Sequence, residues 1–166
     1  MNYRAACWLL LATLVPGRVV PQAPPSQPSL SVSVGVGNHY GWIGTAGEAY
    51  VVPGRLSAFA GLGIMPRELF GSFPTALAGA GGLRYYVPLG GSGHRAFADL
   101  SISVLRMSRA VMIGAAVNRD YGPGLSLGYS YVAGSGLTVT AGAGLGRASN
   151  GTVPVLQLGV GRTWRR

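Results

Sequence analysis

The chain has 166 residues, enough for one domain, and 10% of them are charged, where a soluble domain carries about 25%. Its 28 glycines do not recur at every third position, which excludes collagen, and its apolar residues are too abundant and too regularly spaced for disorder. The net charge of +9 comes from 13 arginines and no lysine, scattered singly without a basic stripe among stacking aromatics, so nucleic acid is not an expected partner.

Residues 1–17 (MNYRAACWLLLATLVPG) place Arg4 before an apolar run at 5–15, the layout of a secretory signal peptide. The run is shorter than the roughly 20 residues of a spanning helix. Cleavage near residue 17 is expected, and cleavage as late as Ala23 also fits. Cys7 precedes the apolar core, so it does not read as a lipoprotein cysteine, and the mature chain would hold no disulfide. Residues 18–28 (RVVPQAPPSQP) read as an extended, proline-rich leader.

From residue 29 the pattern has period two, and no helix is predicted. In the first segment, residues 29–37 (SLSVSVGVG), Leu30, Val32, Val34 and Val36 alternate with serine and glycine alone. A weaker second segment covers 44–52, and Pro53-Gly54 turns the chain. The third is RLSAFAGLGI, at 55–64. The fourth is ALAGAGGLRYYV, at 76–87. The fifth covers 95–105. Residues 106–121 are ambiguous, because AVMIGAAV within them resembles another strand. Counting it gives nine strands, and single-chain bacterial barrels favour even numbers, so the stretch is read as a long-loop excursion. The sixth segment covers 122–132 and the seventh 137–146. The eighth is VPVLQLGVGRTW, at 153–164. Asn150-Gly151-Thr152 fits a glycosylation pattern but reads as an Asn-Gly turn.

Eight segments of about 9–12 residues match the length of membrane strands. Connections at 53–54, 88–94 and 133–136 are short. Those at 38–43, 65–75, 106–121 and 147–152 read as longer or richer in arginine, as on the outer side of a membrane barrel. Both chain ends then fall on the short-turn side. The fold expected is all-β: an eight-stranded antiparallel transmembrane β-barrel, an up-and-down meander over 29–164. Its Leu/Val face meets lipid and its Ser/Gly face meets a narrow interior.

Tyr85, Tyr129, Tyr131 and Trp164 take lipid-facing parity near the short-turn end, as an interfacial aromatic girdle does. Glu48, Arg55, Arg84, Arg95 and Asp99 take the opposite parity and are expected to form a structural charge network in the lumen. Arg84 and Asp99 fall directly opposite each other across the 88–94 turn, so an ion pair is expected there.

On GGLRYYVPL, LSLGYSYVAGSGLTVTAGAGLG and the C-terminal LQLGVGRTW, the chain resembles the small outer-membrane β-barrels of the OmpX and OmpA type, over about residues 29–164. That resemblance implies insertion by the barrel-assembly machinery, which reads a C-terminal aromatic after alternating apolar residues. Leu156, Leu158, Val160 and Trp164 match the signal. Arg162 replaces a usually apolar residue, and Arg165 and Arg166 follow the aromatic.

Barrels of this size also resemble lipid A deacylases and acyltransferases, which pair histidine with serine. His39, in GNHYGW, falls at the outer end of the first segment, where Ser72 and Glu68 could approach it, but no spacing demands that. It reads as a polar loop residue beside interfacial aromatics. His94 falls on the periplasmic side. No metal-ligand spacing is present, and neither GAGGLR nor GAGLGR opens a helix after a strand, so no cofactor is expected. Eight strands leave no open pore.

Arg67, Arg106, Arg109, Arg119 and Arg147 would project at the outer surface, and their planar forks suit the phosphates of lipopolysaccharide. The expectation is a monomeric, non-enzymatic protein of the Gram-negative outer membrane, serving envelope structure or surface binding and adhesion. A lipid A-modifying enzyme is the first alternative, and a secreted soluble β-protein the second.

Overall fold

Eight antiparallel strands close into one barrel in the computed structural model, which describes residues 28–65, 76–90, 93–109 and 117–165. They are β1 (Pro28–Gly37), β2 (Trp42–Val52), β3 (Leu56–Met65), β4 (Ala76–Pro88), β5 (His94–Arg109), β6 (Val117–Val132), β7 (Leu137–Ala148) and β8 (Gly151–Arg165). Each strand pairs with the next, and β1 closes the ring against β8. The expected signal and leader, with Arg67, Glu68 and Ser72, lie outside the described residues, as do the side chains of Arg106 and Arg109.

The ambiguous stretch lengthens the β5–β6 hairpin. Arg106 to Arg109 pair with Asp120 to Val117, beyond an irregularity between Val104 and Arg106. Two connections expected to be long are short. Only Ser149 and Asn150 separate β7 from β8, and the Ser149 N–H (2.9 Å) and Oγ (2.7 Å) both donate to Asp120 Oδ2. Between β1 and β2 stands a single 3-10 turn, Asn38–Tyr40.

The period-two pattern becomes an inside-out barrel. Val34, Leu62, Leu100, Leu127 and Leu156 face outward, each more than half exposed. Serines 57, 101, 103, 126 and 130 face inward and are almost fully buried. The closed ladder pairs the backbone groups that an apolar surround could not satisfy.

Glycine makes room for the few large residues inside. A Cβ at Gly142 would stand 2.9 Å from Phe97 Cζ, and one at Gly128 would collide with the same ring. A Cβ at Gly146 would stand 2.7 Å from Leu105 Cδ2. The interior is therefore packed as large side chains set against bare backbone of distant strands. The sequence pattern had suggested an interior of small residues and a few charges, without large aromatics. Tyr40, Phe59, Tyr86 and Phe97 are all buried, the last three on inward positions of their strands.

Candidate functional site

The candidate site is the filled centre of the lumen. The chain enters it from the β1–β2 connection. Gly37 (φ 109°) and Gly41 (φ 60°) take left-handed conformations that admit glycine easily, and the turn between them folds inward. Asn38, His39 and Tyr40 are all buried as a result. Asn38 fixes the turn to two distant strands: its Nδ2 donates to Val104 O (3.2 Å), and its Oδ1 accepts the Leu156 N–H (3.1 Å). His39 is thus not a polar loop residue beside interfacial aromatics. It is 1% exposed, with its ring 4.6 Å from that of Phe59.

Beneath the turn lies a charged layer. Arg84 on β4 and Asp99 on β5 are cross-strand partners. Arg84 Nε (3.3 Å) and Nη2 (3.2 Å) donate to Asp99 Oδ2. Arg84 Nη2 also donates to Gln157 Oε1 at 2.6 Å, and its Nη1 lies 3.5 Å from Glu48 Oε2. Gln157 Nε2 (3.0 Å) and Ser126 Oγ (2.8 Å) complete the shell of Asp99. Glu48 accepts from Ser57 and from the Tyr86 hydroxyl, the latter at 2.8 Å. The guanidinium of Arg84 also stacks near Phe97, 4.3 Å from its centroid. A charge taken out of water is costly unless it is paired and hydrogen-bonded, and these are both.

A second layer lies nearer the turn-side end. Arg95 donates to the Tyr50 hydroxyl (2.9 Å) and Ser130 Oγ (3.3 Å), with its guanidinium 4.1 Å from the Tyr86 centroid. Four of the five charges expected in the lumen, Glu48, Arg84, Arg95 and Asp99, therefore line it. Arg55 does not. Pairing of β2 with β3 ends at Val52 and Leu56, so Arg55 stands exposed in the turn beyond the rim. Gln157 and His39 join the network without having been expected there.

His39 brings a nucleophile–base contact into view. His39 Nδ1 lies 2.8 Å from Gln157 Oε1 and 3.1 Å from Arg84 Nη2. On the other side of the ring, Nε2 lies 3.3 Å from Ser101 Oγ. Asp99 stands 3.4 Å from that same Nε2, not on the opposite nitrogen where a triad's carboxylate orients the base. Ser101 is only 2% exposed. The cavity that adjoins His39 measures about 20 Å³, room for about one water molecule and not for an acyl chain. Among the described residues, no three His, Cys, Asp or Glu side chains gather as a metal site.

On the outer surface, Tyr85, Tyr129, Tyr131 and Trp164 are exposed near the turn-side ends of their strands. Arg119 and Arg147 are exposed toward the opposite end, and Arg119 Nε donates to Leu77 O at 2.7 Å.

No protein-family model matches the chain, and no curated protein matches it by sequence. Solved structures do. The N-terminal β-barrel domain of Pseudomonas aeruginosa OprF superposes with a TM-score of 0.58 at 12% identity, covering 83% of this chain and all of that one. The Yersinia pestis outer-membrane protein Ail, determined in a phospholipid bilayer nanodisc, gives 0.48 at 7% identity over the same shares. The chain has the closed eight-stranded fold of the OprF barrel.

Proposed function

We propose that this barrel, sharing its fold with the OprF domain, is a non-enzymatic protein of the bacterial outer membrane, serving envelope structure or surface binding. The carrying observation is the inversion of polarity. Leucine, isoleucine and valine face outward all round the ring, while the buried side chains include two arginines, an aspartate, a histidine and a glutamine. Water does not favour such an exterior, and hydrocarbon does. The aromatic ring at the turn-side end supports a membrane boundary there. The arginines at the other end suit lipopolysaccharide phosphate, and export by the N-terminal signal with insertion by the barrel-assembly machinery belongs to the same reading.

Lipid A modification is the weaker reading. Its one support is the Ser101–His39 contact, and both residues are enclosed.

Two measurements test the proposal together. Membrane fractionation with gel mobility before and after boiling should place a heat-modifiable band in the outer membrane. A monomer that stays dissolved without detergent overturns the membrane reading. Lipid A from cells with and without the protein should give the same mass spectrum, and a shift by an acyl chain restores the enzyme reading.

A further inference from the structure

Two arginines converge on the β6–β7 turn. Arg165 Nη2 donates to the carbonyls of Val132 (3.4 Å) and Ala133 (3.3 Å). Arg162 comes to the same turn from the outer face, where its Cγ would lie 3.8 Å from a Cβ at Gly136. The turn is tied down: the Thr163 N–H donates to Gly136 O at 2.7 Å. Arg162 faces outward between Val32 of β1 and Leu137 of β7. Trp164 faces outward two residues later, and Tyr131 does so just before the turn.

Charge is not balanced at this rim. Among the described residues, Arg55, Arg162 and Arg165 are exposed there, and Arg162 has no ion pair. The described acids are elsewhere. Glu48 and Asp99 face the lumen, and Asp120 holds Ser149 at the opposite end. An arginine at the level of an aromatic girdle lays its stem along hydrocarbon and its fork among headgroups. A zwitterionic headgroup would bring an ammonium with no carboxylate to meet it. An anionic headgroup brings only what the two guanidiniums attract.

We propose that Arg162 and Arg165, flanked by Trp164 and Tyr131, bind the phosphate of an anionic phospholipid in the periplasmic leaflet. The inference rests on the membrane reading above.

The test uses the full mature chain refolded into vesicles of equimolar phosphatidylglycerol and phosphatidylcholine. The protein is extracted and its retained lipids are counted by native mass spectrometry. Phosphatidylglycerol should be enriched in the wild type, and the enrichment should fall roughly fivefold for each arginine changed in Arg162→Gln and Arg165→Gln. Arg162→Lys should keep most of it. Arg55→Gln, in the β2–β3 turn of the same rim, should keep all of it. High salt should lower the wild-type enrichment, a readout independent of any variant's folding. Equal retention of the two lipids by the wild type, or unchanged enrichment in the double variant, overturns the site. An equal loss in Arg55→Gln overturns its location. A chain that enters neither lipid fails the membrane reading itself, which is distinguishable from a barrel that inserts without preference.

Discussion

The ring of Tyr40 occupies the space in front of Gly159: a Cβ built there would collide with the Tyr40 hydroxyl, and one at Gly35 would stand 2.7 Å from the ring's Cε2. The inward turn and the bare strands thus require each other. Gly159→Val should destabilise the barrel by about 1–3 kcal/mol, the usual cost of overpacking. Gly47→Ala, at an outward position with nothing within 4 Å, should stay within about 0.5 kcal/mol of wild type. Tyr40→Ala combined with Gly159→Val should cost less than the sum of the two alone. Urea midpoints in lipid vesicles measure all four, and matching midpoints for Gly159→Val and Gly47→Ala would contradict this packing.

Arg84 and Asp99 are the centre of the charged layer: removing Arg84 leaves Asp99 facing no arginine, and removing Asp99 leaves Arg84 with Glu48 alone. Asp99→Ala should cost about 3–5 kcal/mol, the range for breaking a buried pair. Arg84→Met with Asp99→Leu and Glu48→Gln should lose less than Asp99→Ala alone, since no unpaired charge of that group remains. The wild-type midpoint should move little with added salt, because the pair is shielded from it. A fully additive double-mutant cycle would show that the two do not interact.

The alternation of β1, β5 and β8 was legible in the sequence because outward-facing and lumen-facing residues follow a period of two. The pairing of Arg84 with Asp99 was legible for the same reason, since a short turn fixes the register of its flanking strands. Arg55 was misplaced because alternation does not say where a strand ends. His39 was misplaced because a four-residue connection has no period to read; the turn folds inward between Gly37 and Gly41, into space left by Gly35 and by the distant Gly159. A signal was present: Gly35 and Gly159 leave one side of the lumen empty, and something large had to fill it. Gln157 was hidden in an apolar run, and only its inward parity marked it. The extended β5–β6 hairpin was obscured by an apolar stretch that suits a strand as well as a loop.

The charged layer closes the barrel across its section. Glu48, Arg84, Asp99, Ser126 and Gln157 come from β2, β4, β5, β6 and β8, and they touch one another through hydrogen bonds or ion pairs. Planar bilayers containing the purified protein should therefore show no stepwise conductance. Tyr40→Ala should remain closed too, because the layer beneath the turn is intact. Regular current steps from the wild type would mean that the layer does not seal the lumen.

Arg119 and Arg147 stand exposed on the outer surface of β6 and β7, toward the end opposite the aromatic ring. The Nε of Arg119 is committed to Leu77 O, which leaves its terminal nitrogens for a phosphate oxygen. Lipopolysaccharide should raise the thermal midpoint of the wild-type barrel. Arg119→Gln with Arg147→Gln should reduce that rise, and adding glutamine at Arg67, Arg106 and Arg109 should abolish it. The same variants in phospholipid alone should melt close to wild type, apart from the small cost of the lost bond to Leu77, since exposed charges contribute about 0–1 kcal/mol each. If wild type and the five-site variant gain equally from lipopolysaccharide, these arginines are solvated charges and the lipid is held elsewhere.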